Sequence, residues 1–289
     1  MTDQLFIGDV LSEESGGEKK ELTVNENNSV QPVALMRLGV FVPKPTKNQS
    51  EYTSVDASSL LGKLQMAQAE GFDDIQIAGP RLDMDTDFKV WIGIIRAFSQ
   101  YGLTSNKIIL KFTEFAEFAG FEPKRKDKRL RLSIHNSLWK IRNKSVSFKR
   151  AKDVGNSYNT GLLKTGYFNA DKDVVELEAD EKLWELYKLD YRVLLQQHAI
   201  KALPKREVAQ AIYTFLASLP TPPAPVSFER LRDRLSLTSQ VKDQNRVIKK
   251  AIEQLIEIGY LDATVTKKGR ENFLLIHKRN PKLQLKGGC

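Results

Sequence analysis

The chain has 289 residues, 41% hydrophobic and 28% charged, which is enough for two ordinary globular domains. Its 45 Lys and Arg outnumber its 36 Asp and Glu, which favours an anionic partner but indicates no particular fold. One cysteine, Cys289, excludes an internal disulfide and a cysteine-rich zinc site, and no apolar run approaches the roughly 20 residues that span a bilayer. We therefore expect a cytoplasmic protein with no membrane partner.

The two ends of the chain predict tails. Residues 1–30 carry seven acidic side chains against two lysines and predict a mobile acidic tail. Within it, the apolar cluster of QLFIGDVL (residues 4–11) either docks on its own domain or is a linear motif for a partner. Residues 285–289 end in Gly-Gly-Cys, which resembles an engineered handle for thiol chemistry, so we exclude them from functional reasoning.

The first half of the ordered chain predicts helices and strands in alternation. Composition and periodicity predict a strand over 33–42, a polar loop over 46–57, a helix over 58–70, a strand over 74–79 and a helix over 85–102. A strand over 107–112 and a short helix over 113–119 follow. A basic helix beginning near Lys124 comes next, and then three strand candidates at 145–150, 158–168 and 173–179.

The second half repeats this plan. Helices are predicted over 179–202 and 205–218, followed by a stiff proline-rich connector at 219–227. Ser227 caps a short helix that runs to Leu235, and a longer helix covers 241–258. The last element is a hairpin of strands 260–265 and 272–277, with Gly269 in its turn.

Apolar positions recur between the two halves, which indicates a duplicated module. Phe112, Phe115, Ala119 and Phe121 recur after 116 residues as Phe228, Leu231, Leu235 and Leu237. Leu130, Ile134, Leu138 and Ile141 recur after 117 residues as Val247, Ala251, Leu255 and Ile258. We expect an α+β fold of two tandem winged helices related by a pseudo-repeat, with domain 1 at 31–178 and domain 2 at 179–284. The alternative is two unrelated segments that share only generic amphipathicity.

The basic helix of domain 1 is a candidate for DNA binding. Residues 122–152 carry twelve Lys and Arg against two acids, and phosphate binding needs cations gathered on one surface. In a helix–turn–helix the second helix enters the major groove. Asn136 is a further polar candidate, while Leu132 and Trp139 project opposite the core stripe, so either both faces pack or the helix phase is wrong. The candidate DNA contacts are Lys124, Arg125, Lys126, Lys128, Arg129 and Arg131; the alternative is a solvated charged face.

Domain 2 offers a second set of candidates, which we expect to be the main DNA-reading set. Arg and Asn suit bidentate contacts with guanine and adenine, respectively. The cations are the safer predictions, because Ile252 and Ile256 widen the apolar stripe and crowd Asn245. The helix candidates are Lys242, Asn245, Arg246, Lys249 and Lys250. The hairpin, or wing, candidates are Lys267, Lys268 and Arg270, although exposed turns are often basic for other reasons.

The sequence predicts no active site, metal site or cofactor. His135, His198 and His277 are far apart and share no metal-ligand spacing, and no phosphate-binding glycine loop is present. The acidic run DMDTD (residues 83–87) sits where a helix begins, so we interpret it as helix capping and not as a magnesium site.

Four stretches resemble the RepA-type replication initiators of low-copy plasmids and phage-plasmids, and the likeness extends over nearly the whole ordered chain. They are VQPVALMRLGVFVPK (30–44), GPRLDMDTDFKVWIGII (79–95), QAIYTFLASLP (210–220) and AIEQLIEIGYLD (251–262). The resemblance implies two winged helices that bind directly repeated origin sites, called iterons, in double-stranded DNA. It also implies that monomers start replication together with the host initiator DnaA.

The resemblance also implies control of copy number. By this resemblance we expect domain 1 to mediate formation of a homodimer that is inactive at the origin and that represses its own gene or pairs origins. The resemblance also implies that a DnaK-class chaperone system converts dimer to monomer. The N-terminal apolar cluster is a candidate handle for chaperones or an AAA+ unfoldase. The protein is then associated with the plasmid in the bacterial nucleoid. The alternative is a dimeric winged-helix transcriptional repressor without an initiator role.

Overall fold

A computed structural model describes residues 28–45, 49–101, 105–122, 127–184, 192–281 and 283, without the side chains of 153–156, 182 and 192–194. The tail predicted for residues 1–30 lies outside this part, except that residues 28–30 begin a strand. The predicted tail at 285–289 also lies outside it. No described helix is both long enough and apolar enough to cross a membrane.

The first elements differ from the prediction of one strand over 33–42. They are β1 (Asn28–Pro32), α1 (Val33–Leu38) and β2 (Phe41–Val42). The prediction is wrong over 33–38, because a short apolar run fits a buried helix as well as a buried strand. Gly39, with φ +72°, ends the helix in the left-handed conformation that glycine tolerates.

The region from 49 to 101 forms a small sheet flanked by helices. The predicted polar loop at 46–57 contains an edge strand, β3, whose exposed polar face gave no apolar alternation to detect. The predicted helix 58–70 is two short helices, because Leu64 is extended. The elements are β3 (Tyr52–Asp56), α2 (Ser58–Leu61), α3 (Gln65–Glu70), β4 (Asp74–Pro80), β5 (Leu82–Asp83) and α4 (Asp87–Tyr101).

The first predicted module follows. Its elements are β6 (Lys107–Lys111), α5 (Phe112–Phe118), α6 (Lys128–Arg142), β7 (Ser145–Arg150), β8 (Asp153–Gly161), β9 (Thr165–Asn169) and β10 (Val174–Glu178). An antiparallel sheet has the order β6-β10-β9, and β7 and β8 join a second sheet of order β3-β4-β7-β8. Asp127 caps α6, since its side chain accepts a hydrogen bond from the backbone N–H of Leu130.

The segment that joins the two modules is more broken than predicted. Its elements are α7 (Glu181–Trp184), β11 (Arg192–Gln196), α8 (Gln197–Lys201) and α9 (Glu207–Ala217). The single helix predicted over 179–202 is wrong, because β11 pairs antiparallel with β1, a partner more than 150 residues earlier in the chain. Such a long-range pairing overrides local helical pattern.

The second module confirms the predicted duplication. Its elements are β12 (Val226–Ser227), α10 (Phe228–Arg234), α11 (Val241–Glu257), β13 (Leu261–Lys268) and β14 (Glu271–Arg279). Its sheet order, β12-β14-β13, matches β6-β10-β9 of the first module. Both modules therefore contain a strand, two helices and a hairpin in the same chain order. The chain has an α+β fold of two tandem winged helices.

The predicted register of the repeat is correct for the first helices and wrong for the second. α5 and α10 begin 116 residues apart, as predicted. On α11, however, Val247 is 37% exposed and Ile248 is buried. The buried positions of α6 are Leu130, Ile134, Ser137, Leu138 and Ile141, and those of α11 are Gln244, Ile248, Ala251, Ile252 and Leu255. These sets are 114 residues apart, three fewer than predicted.

The two modules share one core. The buried apolar side chains form a continuous cluster that includes Val33 near one end of the described chain and Leu283 at the other. Arg234 of α10 is buried and donates hydrogen bonds to the carbonyls of Met36 and Phe41, at 2.8 and 3.0 Å. The second module is therefore fastened to the N-terminal elements. The domain boundary predicted at 178/179 stays a prediction.

Candidate nucleic-acid interface

A basic groove lies between α11 and the β13–β14 hairpin. Its volume is about 880 Å³, and it is open to solvent on one side. Six cations and two asparagines face it, against one carboxylate. The polar residues that line it are Lys242, Asn245, Arg246, Lys249, Lys250 and Glu253 of α11, and Lys267, Arg270 and Asn272 of the hairpin region.

The burial pattern of α11 explains why its cations face outward. Because Ile248, Ile252 and Leu255 pack into the core, the helical period turns Lys242, Arg246, Lys249 and Lys250 to solvent. All four predicted helix cations therefore line the groove. Arg246 is paired on its own helix, with its Nη2 3.1 Å from Oδ1 of Asp243, and its side chain remains 77% exposed.

The wing supplies the opposite wall of the groove. Lys267 and Arg270 line it, whereas Lys268 is exposed on the hairpin without lining the groove. Gly269, with φ +63° and open space around it, forms the predicted turn. Helix cations and two of the three predicted wing cations thus share one surface.

Asn245 is held by a hydrogen-bond network that reaches all three parts of the module. Arg232 of α10 donates from Nη1 to Oδ1 of Asn245 at 2.8 Å. Its Nη2 donates to Oε2 of Glu271, the first residue of β14, at 3.1 Å. Partial burial would raise the pKa of Glu271, but the hydrogen bond and charge of Arg232 hold that pKa below its usual range. We call Arg232, Asn245 and Glu271 the clamp.

In the first module, fewer of the predicted DNA-binding residues share one exposed surface. Lys128 and Arg129 are exposed at the start of α6. Arg131 instead ion-pairs with Asp173, with Nε 2.9 Å from Oδ1, and stacks on the ring of Phe112. That pairing lowers the pKa of Asp173 and raises the pKa of Arg131. The remaining predictions, Lys124, Arg125 and Lys126, lie outside the described residues.

The core face predicted for α6 is confirmed, so the predicted helical phase of α6 is correct. Leu130, Ile134, Leu138 and Ile141 are buried, whereas Leu132 and Trp139 are 59% and 55% exposed. In the observed register Leu132 and Trp139 correspond to Arg246 and Glu253 of α11. The two second helices therefore present different chemistry: a basic groove face on α11 and a partly apolar face on α6.

The acidic run at 83–87 is part of the fold, as predicted. Oδ1 of Asp83 accepts hydrogen bonds from the backbone N–H groups of Thr86, at 2.7 Å, and of Asp87, the first residue of α4, at 3.4 Å. Asp87 is buried, accepts from Oγ of Ser137 at 2.6 Å and lies 2.9 Å from Nζ of Lys140. Burial and the charge of Asp83 raise the pKa of Asp87. Among the described residues, no group of three or more His, Cys, Asp or Glu could hold a metal.

Sequence reasoning missed Arg232 and Glu271. Arg230, Arg232 and Arg234 alternate along α10 and look alike in the sequence. The structure gives them three different environments: Arg230 stacks on Phe215, Arg232 joins the clamp and Arg234 is buried against backbone carbonyls. No local pattern separates these roles, because each partner lies far away in the sequence.

Comparisons with known proteins match both modules. A family model described as "Initiator Replication protein, WH1" matches residues 82–217, and one described as "Initiator Rep protein, WH2" matches residues 227–277. The Replication protein RepA of Escherichia coli is 63% identical over 98% of this chain and 99% of its own length. A second Escherichia coli relative, Protein RepA, is 64% identical over 99% of both chains. The crystal structure of domains 2 and 3 of RctB is similar in fold alone, with a TM-score of 0.50, 12% identity and coverage of 85% of this chain and 98% of that one.

Proposed function

The chain belongs to the family of initiator replication proteins with WH1 and WH2 modules, and on that premise we propose that it initiates plasmid replication by binding iterons in double-stranded origin DNA. The single observation that carries this proposal is the groove between α11 and the wing. Six cations line it, and a duplex presents phosphates on both sides of the groove that a recognition helix enters.

In this proposal the second module is the main reader of sequence. Its helix offers Arg246 and Asn245, side-chain types that hydrogen-bond to base edges, while Lys267 and Arg270 on the wing contact phosphates or the minor groove. The energy that recognises the origin is then binding energy alone, and we propose no catalytic step.

The first module contributes in a different way. Lys128 and Arg129 are exposed at the start of α6, so we propose that they contact phosphates. Leu132, one turn further along, is exposed and apolar, which suits contact with a thymine methyl group better than with a phosphate. If the two helices enter successive major-groove faces, the protein covers about 20 base pairs.

The finer parts of the proposal rest on the resemblance to RepA-type initiators. We propose that the monomer binds iterons with DnaA at the origin, and that a homodimer through domain 1 limits copy number or represses its own gene. A DnaK-class chaperone system, with an AAA+ unfoldase as a further candidate, would convert dimer to monomer. The N-terminal apolar cluster proposed as their handle lies outside the described residues.

Fluorescence anisotropy with a directly repeated origin duplex and a scrambled duplex of the same length tests this proposal. We expect clear preference for the repeated duplex, and affinity that falls as roughly the seventh power of salt concentration if about 8 phosphates are neutralised. Arg246→Ala and Lys249→Ala should each weaken specific binding by about 1–3 kcal/mol if their side chains reach bases. Arg206→Ala, which changes a cation that pairs with Glu257 and does not line the groove, is the control.

Equal affinity for repeated and scrambled duplexes would contradict the proposal. An equal loss on both duplexes for Arg246→Ala or Lys249→Ala would make that residue a phosphate contact. A plasmid that carries only the candidate origin and receives the protein in trans separates the initiator from the alternative. Failure to maintain that plasmid would favour a dimeric repressor.

A further inference from the structure

Asn245 occupies an unusual position in the groove. It lines the groove with the cations, yet it is half-buried and its Oδ1 already accepts a hydrogen bond from Arg232 at 2.8 Å. Within the part of the chain that the structure describes, its Nδ2 makes no hydrogen bond. Because only the oxygen of a carboxamide can accept from a guanidinium, Arg232 decides which way the amide faces.

Arg232 is itself fixed. Its side chain is 12% exposed, and Glu271 accepts from both Nη1 and Nη2, at 3.5 and 3.1 Å. Asn272, the next residue of β14, donates its backbone N–H to Oε1 of Glu271 at 3.2 Å. A guanidinium held through two of its nitrogens has little rotational freedom, so its direction toward Asn245 is set by the wing strand.

The first module shows a related link at the matching position. Arg131 of α6, which corresponds to Asn245 in the observed register, ion-pairs through Nε and Nη2 with Asp173 at 2.9 Å each. Asp173 immediately precedes β10, as Glu271 begins β14. Both modules therefore tie the same position of the second helix to the turn end of the hairpin.

We propose that Asn245 reads adenine in the DNA site, and that Arg232 and Glu271 are positioning residues that select this base by fixing the carboxamide. The inference rests on the proposed DNA-binding function. A carbonyl oxygen accepts two hydrogen bonds, so Oδ1 keeps one free lone pair beside the two N–H groups of Nδ2. Adenine offers a matching N6–H donor and N7 acceptor, whereas guanine offers two acceptors and would set O6 against Oδ1.

Single-base variants of a bound duplex test the clamp in the full-length protein. The probe is the duplex that the wild-type protein selects from a random pool, changed one base pair at a time. We expect Asn245→Ala to abolish the preference at one A·T pair, which amounts to a loss of roughly 5- to 100-fold for adenine over the other bases. Arg232→Met and Glu271→Gln should reduce the preference at the same pair, and the double variant Arg232→Met/Asn245→Ala should lose no more than Asn245→Ala.

Arg206→Met is the matched control, because it removes an arginine that pairs with a glutamate, Glu257, at the far end of α11. It should leave the whole preference profile unchanged. If Arg232→Met does not fold, as judged by circular dichroism, Glu271→Gln decides the question.

Two outcomes overturn the clamp alone, and a third overturns it together with the proposed function. If the wild type shows a sharp profile that neither Arg232→Met nor Glu271→Gln alters at the Asn245 base pair, the clamp alone is wrong. The same holds if these variants weaken binding equally at every position. A flat wild-type profile would instead overturn the proposed function, and the clamp with it.

Discussion

Lys144, directly after α6, is a buried cation with no acidic partner among the described residues. It is 1% exposed and donates hydrogen bonds to Thr53 and to the carbonyls of Gly79 and Pro80 at 3.4 and 3.3 Å. Burial, with the nearby charge of Arg81, lowers the pKa of Lys144 to about 8. Its charge therefore costs stability at neutral pH.

This position predicts a pH dependence of stability. Between the folded pKa of about 8 and the ordinary value of 10.5, the unfolded chain binds more protons at Lys144, so stability rises with pH there. Relative to Lys144→Met, the wild type should gain roughly 2.5 kcal/mol of unfolding free energy between pH 7 and pH 10, at about 1.4 kcal/mol per pKa unit. Urea unfolding at several pH values measures this. A constant difference between the two proteins would contradict it.

At the residue scale, the sequence predicts which side chains are cationic but not which are available. Lys128 and Arg131 lie three residues apart on α6 and look equivalent in the sequence, yet Arg131 is engaged with Asp173 and Phe112. Lys267 and Lys268 are neighbours, and only Lys267 lines the groove. Whether a cationic side chain is available for a ligand depends on its contacts with other elements. The amino-acid composition gives no information about those contacts.

At the element scale, α4 packs closely against the C-terminal end of α5, and a glycine makes this close approach possible. Gly93 lies in the middle of α4, where a Cβ would meet the Cβ, Cα and backbone N of Ala119 at 2.9–3.0 Å. Such a distance requires the backbone to shift. The glycine is therefore needed for space and not for backbone conformation.

Gly93→Ala should consequently destabilise the protein by about 1–3 kcal/mol, as overpacking does. Helix propensity alone predicts the opposite sign, a gain of up to about 1 kcal/mol. Gln100→Ala, at an exposed position of the same helix, is the control and should change the unfolding free energy by less than about 0.5 kcal/mol. Urea unfolding distinguishes the two signs, and a more stable Gly93→Ala protein would show that α4 and α5 can separate freely.

Elements were predicted well where periodicity was local and poorly where distant partners decided them. α4, α5, α10 and α11 show apolar spacing that acts within a few residues, and Ser227 caps α10. Gly269 forms the turn of the β13–β14 hairpin. β3 and β11 exist because they pair with β4 and β1, respectively. The three-residue error in the helix register has the same origin, since Val247 and Ile248 are equally apolar and only packing shows which one is buried.

At the scale of the whole molecule, three arginines join parts that the sequence separates. Arg37 donates to the carbonyl of Ser218 at 2.7 Å, and Arg234 reaches the carbonyls around α1. Arg279, the last residue of β14, donates to the carbonyls of Leu216, Leu219 and Pro220. The sequence could not predict these bonds, because every residue offers a carbonyl. Arg279 holds the start of the proline-rich connector on β14. Arg37 holds the residue just before the connector, and Arg234 joins α10 to the region around α1.

If both modules bind DNA as proposed, the hydrogen bonds of Arg279 to the connector predict that loss of this side chain weakens binding to a duplex that spans both modules. Its Nη2 also donates to Oγ1 of Thr221 at 2.6 Å, so Arg279→Met releases the connector at several points at once. When the modules are less constrained, binding of one module to DNA places the other module less precisely at its own half of the site. The effective concentration of that second module at its half-site therefore falls. We expect a loss on the order of tenfold for a duplex that spans both modules, since linked modules gain about 10²–10⁴ in avidity. A short duplex that covers only the second module should bind unchanged.

Lys278→Met is the matched control, because it removes the same charge from the neighbouring, exposed position of β14. It should affect both duplexes alike and only slightly. Anisotropy with the long and short duplexes gives the two affinities, and hydrogen exchange of residues 218–221 in the free protein should rise only in Arg279→Met. An equal loss on both duplexes would instead mean that Arg279 acts within the second module, and that the spacing between the two proposed DNA-binding surfaces is fixed by the shared apolar core.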